Sequence, residues 1–177
     1  ELPVMKKTKE IISDKVAVVN QILPHTNKWA WDLFIDGAAN NWMPTEISMA
    51  KDIEQWRSDS LTNDEKLVVK RSLGFFAGSE SLVANNLLLS IFKYVTDPEC
   101  RQYILRQAYE ESLHNLTVVY CCDSLGLKIG EVYQAYNSIP SIKSKDEFLM
   151  NICTDINRPD FNINTLEGKR EFLRNII

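Results

Sequence analysis

The stretch from Pro98 to Gly126 is the feature that most constrains what this chain can fold into. Residues 99 to 125 contain neither Pro nor Gly, and both ends carry the punctuation of a helix. Thr96 or Asp97 stands where an N-cap is needed, Pro98 suits the first helical position, and Glu99 complements the positive end of the helix dipole. Gly126 is the expected stop, because glycine takes the left-handed conformation of a C′ residue without steric cost. A helix of this length is suited to a bundle.

A second long helix is expected ahead of it. Thr62-Asn63-Asp64-Glu65 reads as a capping box, in which the Thr hydroxyl and the Glu carboxylate each satisfy a free backbone N–H. Helical periodicity then continues to about Val95, roughly 50 Å at 1.5 Å per residue. Gly74 and Gly78 lie inside it at a propensity cost of about 1 kcal/mol each, which points to close helix contact or a local kink. Shorter helices are predicted at about Ile129 to Asn137 and Ser144 to Asn157, with a last one opening near Thr165. Met43-Pro44-Thr45, Asp97-Pro98 and Gly126 mark the boundaries, and no strand-like alternation competes. Without repeats, linkers or low-complexity segments, the expectation is one all-α domain over residues 1–177. The final segment, from Thr165 to Ile177, is amphipathic but ends on two isoleucines with no C-cap. The chain therefore reads as cut within a helix, its domain incomplete at the C-terminus.

Composition narrows the function classes. With 45% apolar and 25% charged residues and only 6 Gly and 6 Pro among 177, the chain can bury a core and is not a disordered or collagen-like sequence. The net charge of −4, with Lys and Arg dispersed, argues against nucleic acid and against an anionic membrane as partners. No apolar run approaches a transmembrane length, and Glu1 to Lys7 lacks the apolar centre of a signal peptide, so a cytoplasmic protein is expected. Cys100, Cys121, Cys122 and Cys153 form no C-x-x-C pair and read as buried free thiols rather than a zinc site.

Chemistry enters through the faces of the two long helices. Val69, Leu73, Phe76, Glu80, Val83 and Leu87 share one face of the first, which places Glu80 inside an apolar stripe. An ionised carboxylate there costs several kcal/mol unless a cation or a hydrogen-bond network compensates it. Alone, Glu80 reads as half of a buried ion pair. On the second helix, Ile104, Gln107, Glu111, His114, Val118, Cys121 and Leu125 form a similar stripe, with Glu111 and His114 one turn apart so that both can reach one ion. Glu-x-x-His is common by chance. A Glu on one helix followed by Glu-x-x-His on the next is far more specific, being half of the ligand set of carboxylate-bridged dimetal bundles. Carboxylates with imidazole suit iron or manganese.

Four segments resemble the radical-generating small subunit of class I ribonucleotide reductase: Trp42-Met43-Pro44-Thr45-Glu46, Leu73-Gly74-Phe75-Phe76-Ala77, Ser79 to Asn86, and Arg106 to His114. The resemblance covers about Lys28 to Ile177. It implies a ferritin-like bundle in which Glu80, Glu111 and His114 hold the first position of a dinuclear metal centre, Glu111 being a candidate bridge. It also implies that Trp42 passes a radical between that centre and the large subunit, where ribonucleotides are reduced, and that the small subunit is a homodimer. The remaining Glu and Glu-x-x-His would come from beyond Ile177 or from another chain.

The family usually places a radical-bearing tyrosine four residues after the histidine, and here that position is Val118. Valine offers no phenol. The departure resembles the class Ic, or chlamydial-type, subunits, which implies a manganese/iron pair, with two irons as the other possibility. Tyr120 is about 200 degrees further round the helix than His114, and Tyr109 lies off the Glu111 face, so neither is expected to substitute. His25 has no spaced partner and is assigned no role. Two other readings of the same residues are a dimetal oxidase acting on a small organic molecule and a metal-free helical interaction module; Trp42 and its neighbours argue against the first.

Overall fold

The computed structural model describes residues 10–176, and among them helices dominate. They are α1 (Lys28–Ala39), a 3-10 turn (Pro44–Glu46), α2 (Ala50–Arg57), α3 (Asn63–Asn86), a π-helical turn (Leu87–Ile91), α4 (Pro98–Leu125), α5 (Ile129–Tyr133), α6 (Ala135–Ser138), α7 (Pro140–Asp155) and α8 (Leu166–Ile176). No strand occurs among the described residues. An isolated bridge pairs Ile12 with Val95, closed by Ser13 N–H donating to the Tyr94 carbonyl at 2.9 Å and Thr96 N–H to the Ile11 carbonyl at 2.8 Å. No described helix is long and apolar enough to cross a membrane.

The caps explain where the long helices start and stop. At α3, Glu65 N–H donates to Thr62 Oγ1 at 3.2 Å while Thr62 N–H donates to Glu65 Oε2 at 2.8 Å, completing the expected box. At α4 the N-cap is Asp97, whose Oδ1 accepts from Cys100 N–H at 2.8 Å; the Thr96 hydroxyl is turned instead to the Glu10 carbonyl. Gly126, at φ 69°, ends α4. Thr165 Oγ1 accepts from Gly168 N–H at 3.0 Å and caps α8.

Some boundaries differ from the sequence-based expectation. α3 stops at Asn86 rather than continuing to Val95, because the next turn widens: Phe92 N–H donates to the Leu87 carbonyl five residues back, at 2.8 Å. Side chains tie that turn in place, with Asn86 Nδ2 donating to Asn175 Oδ1 at 2.8 Å and Asn157 Nδ2 donating to Ser90 Oγ at 2.6 Å. The helix expected over Ile129 to Asn137 is divided between α5 and α6, and α7 opens at Pro140, not Ser144, with proline again at the first helical position. Two further helices, α1 and α2, precede α3.

The chain divides into two compact units. One contains the segment ending at Asn41, together with Ala84–Tyr109 and the segment beginning at Asn151; the other contains Trp42–Val83 and Glu110–Met150. In the first, Phe172, Ile156 and Ile163 are almost wholly buried, with Tyr94 edge-on to the Phe172 ring. In the second, Ala77, Val118, Cys122 and Val132 form the core, with Leu73 and Leu127 packed against it. The apolar stripe expected on α3 is therefore shifted. Val69 and Phe76 are 37% and 46% exposed, whereas Gly74 and Ala77 are buried, because α5 and α6 approach α3 on the glycine side.

Gly74 permits that approach. A Cβ there would lie 2.5 Å from Ala135 Cβ and 3.1 Å from the Val132 carbonyl oxygen, closer than packed atoms allow. Gly74→Ala is expected to destabilise the protein by about 1 to 3 kcal/mol despite the better helix propensity of alanine. Gly78→Ala, whose nearest neighbour would be Asp146 Oδ2 at 3.4 Å, should lack this penalty. Thermal unfolding of the two variants side by side measures the difference; equal melting temperatures would contradict the packing argument.

Candidate metal centre

Glu80 on α3 and Glu111 and His114 on α4 all lie in the second unit, and their side chains meet. His114 Nδ1 is 3.1 Å from Glu80 Oε2 and 3.0 Å from Glu111 Oε2. One ligand atom from each of the three falls within 4.8 Å of the others. The i, i+3 spacing brings Glu111 and His114 to one side of α4, and Glu80 reaches them across the helix pair. Both carboxylates are largely buried, with side chains 16% and 12% exposed, while the imidazole is 44% exposed.

This proximity alters proton affinity. Burial, followed by the hydrogen bond and charge of Glu80, pushes the Glu111 carboxyl above the ordinary glutamate range, with His114 only partly offsetting the rise. For His114, burial works against the imidazolium, but the hydrogen bonds and charges of Glu111 and Glu80 outweigh it and raise its pKa above the usual histidine value. Two acidic side chains thus share one basic nitrogen in a partly dry site. Replacing the proton with a divalent cation supplies more positive charge to the same three donors, and two carboxylate oxygens with one imidazole nitrogen suit iron or manganese. The residues present fit such an ion.

Cation loading is accordingly expected to weaken as the pH falls. Ligands must be deprotonated to bind, and His114 keeps its proton to a higher pH than an ordinary histidine. Near pH ~6.5 a cation must displace that proton; above the raised pKa the competition disappears. Titration of the full chain with Mn2+ by calorimetry, in buffers of different ionisation enthalpy, should register proton release that shrinks as the pH is raised. Release that is absent throughout would contradict the coupling.

The other residues singled out by sequence fall into place individually. Trp42 is half-buried and lies against the site: its ring centroid is 6.0 Å from that of His114, with the planes 34° apart. Behind it Met43-Pro44-Thr45-Glu46 forms the 3-10 turn, closed by Glu46 N–H donating to the Met43 carbonyl and by Met43 N–H donating to Glu46 Oε1, both at 3.0 Å. Val118 is 5% exposed within the Ala77, Cys122 and Val132 core, a setting that needs only an apolar side chain. Tyr120 donates its hydroxyl to the Ile47 carbonyl at 2.8 Å, and Tyr109 is half-exposed beneath the Arg106 guanidinium.

His25 belongs to the first unit, 3.4 Å from Glu99 Oε1, which also accepts from Thr26 N–H at 2.8 Å. It is a satisfied histidine. The four cysteines are free as expected, but only Cys122 is buried, Cys100, Cys121 and Cys153 being partly exposed; burial still pushes the Cys100 thiol up to about 12. Sequence reasoning missed Glu110, whose Oε2 accepts from Trp42 Nε1–H at 2.7 Å. The signal available was its place four residues before His114, on the same side of α4.

The ribonucleotide reductase small-chain family model matches residues 19–177. Over 169 residues the chain is 48% identical to the ribonucleoside-diphosphate reductase subunit beta of Chlamydia pneumoniae, covering 96% of this chain and 49% of that protein. The ribonucleoside-diphosphate reductase small chain of Neurospora crassa is 28% identical over 128 residues, which cover 71% of this chain and 31% of the relative. Among solved structures, the ribonucleotide reductase R2 subunit from Clostridium botulinum superposes with a TM-score of 0.72 at 25% identity, over 84% of this chain and 44% of that one. A putative class I ribonucleotide reductase from Bacillus halodurans, at 23% identity and a TM-score of 0.71, shares the fold over 84% of this chain and 51% of its own. The chain spans about half the length, or less, of the curated relatives named here.

Proposed function

The chain belongs to the ribonucleotide reductase small-chain family, and on that footing we propose that it supplies half of a radical-generating dimetal site to a ribonucleoside-diphosphate reductase. Glu80, Glu111 and His114 hold the first metal position, and Trp42 carries the oxidising equivalent toward a large subunit that reduces the ribonucleotide. The single observation that supports this reading best is the contact of three ligand side chains with one another and of the Trp42 ring with the ligand histidine. A dinuclear metal pair, when bound, supplies the one-electron oxidising power that these side chains lack.

The side chains have separable tasks. Glu80 and Glu111 provide the negative charge that retains cations, and Glu111, the more buried of the pair, is the candidate bridge. His114 is both ligand and ring partner of Trp42. The Met43 to Glu46 turn fixes the backbone beside Trp42, limiting how far the indole can swing from the imidazole. The second Glu and second Glu-x-x-His of the ligand set lie outside these 177 residues or on another copy of the chain. We place the assembly in the cytoplasm, as a homodimer docked to its large subunit.

Val118 bears on the metal identity. No phenol stands at its position, so this side chain cannot hold a tyrosyl radical, and manganese beside iron is the proposed pair that Glu80, Glu111 and His114 would help to hold. Reconstituting the full chain with iron alone and with manganese plus iron, then assaying reduction with the large subunit, tests this. Activity is expected with the mixed pair and little with iron alone. Full activity with iron alone, with a tyrosyl radical in the electron paramagnetic resonance spectrum, would overturn the assignment and return attention to Tyr120.

A further inference from the structure

α7 turns a carboxyl group into the protein. Ile142 and Asp146, spaced i and i+4, share one side of the helix and are 6% and 4% exposed. Within the second unit that side meets α3 at Gly78, where a Cβ would lie 3.4 Å from Asp146 Oδ2. A buried acid is ordinarily held by a donor. Here Asp146 Oδ1 is shut from solvent and accepts no hydrogen bond among the described residues. Gly78 has no side chain to offer, and its N–H belongs to the backbone ladder inside α3.

The charged side chains of the two helices are turned elsewhere. On α7, Lys143 and Glu147 pair with each other at 3.7 Å and are more than half exposed, while the Lys145 ammonium lies 5.2 Å from the centre of the Phe75 ring. On α3, Arg71 lines the groove that Ile142 and Lys145 also line. Glu80, two residues beyond Gly78 and about 200° further round the helix, meets His114 instead. Without a cation or donor to compensate it, burial pushes the Asp146 carboxyl above the ordinary aspartate range.

The direction of the resulting pH dependence is fixed. Where both forms carry the proton, at a pH below the ordinary aspartate range, Asp146 favours neither a closed nor an opened α7. As the pH rises past that range, an opened, wetted carboxyl releases its proton first, and closure loses stability until the closed form ionises as well. We propose that Asp146 makes the α3–α7 contact a pH-sensitive latch, closed at Gly78 while the carboxyl is neutral and opening locally as it ionises. The latch is separate from the metal centre, because Gly78 and Glu80 point to different sides of α3.

The test follows amide hydrogen exchange by mass spectrometry in the full chain, over peptides from residues 141–150, with α8 peptides as the internal reference. Parent and Asp146→Asn, which differ little in size, are compared at each pH, so that the pH dependence of exchange chemistry cancels. Between pH ~4 and pH ~8 the ratio of parent to variant exchange rates in these peptides should rise at least about tenfold, with the α8 ratio unchanged. A ratio that stays constant across this range overturns the latch, because packing alone then accounts for any difference. A rise that appears equally in α8 overturns it too, since the opening would be global. Should Asp146→Asn fail to fold, Asp146→Ala carries the same comparison, as it also removes the titrating group.

Discussion

Replacing His114 by alanine in the full chain is expected to lose the dimetal site, with at least an about 100-fold fall in metal affinity, or ~2.7 kcal/mol. Of the three clustered side chains His114 alone offers a nitrogen, and its Nδ1 lies 3.1 Å from Glu80 Oε2 and 3.0 Å from Glu111 Oε2. Without it Glu80 and Glu111 face each other with no cationic or neutral donor between them. Their repulsion is then relieved by protonation, which removes a second ligand as well. Glu80→Ala should act similarly by withdrawing the α3 contribution and leaving both remaining ligands on one turn of α4. Metal content after desalting, by elemental analysis, is the measurement. A His114→Ala protein that retains two ions per chain would remove this cluster from the site.

Trp42→Phe should separate binding from conduction. Phenylalanine keeps an aromatic face for the His114 ring but has no N–H for Glu110, and its ring is much harder to oxidise by one electron than an indole. Metal content is therefore expected to stay at the parent level, while ribonucleotide reduction with the large subunit falls by at least about 1,000-fold, equivalent to ~4 kcal/mol in the limiting step. The pairing of outcomes matters more than either alone. Loss of both metal and activity would mean that Trp42 supports the site mechanically; normal turnover would mean that the radical takes another path.

Much of the local structure was legible because its causes are local. The capping box at Thr62 and Glu65, proline at the start of α4 and the left-handed Gly126 each act within a few residues, so spacing alone announces them. The same holds for Glu111 and His114, which any helix brings to one side. That the chain is all-α and related to the R2 fold also followed from pattern and motif, in agreement with the matched family and the superposed structures.

Other features depended on partners distant in sequence. Nothing near Leu87 signals that the helix will widen into a π turn; the asparagines that hold it are Asn157 and Asn175. Periodicity marked Val69 and Phe76 as core residues, yet the close approach of Ala135 to Gly74 moved the buried side of α3 away from them. Glu110 was marked only by its place four residues before His114, and its contact with Trp42 depends on an indole 68 residues earlier.

The sequence by itself determined where the two long helices begin, their N-caps and the residue types that can hold a metal, because hydrogen bonding within a turn and the 3.6-residue period are properties of neighbouring residues. Tertiary structure alone decided that Glu80 meets Glu111 and His114 within 4.8 Å, and that Trp42 contacts both Glu110 and His114. Those contacts join segments separated by 31 to 72 positions in sequence, a separation that no local spacing rule converts into distance. Only the packing of α3 against α4, and of the Trp42 turn against α4, turns suitable residues into a site.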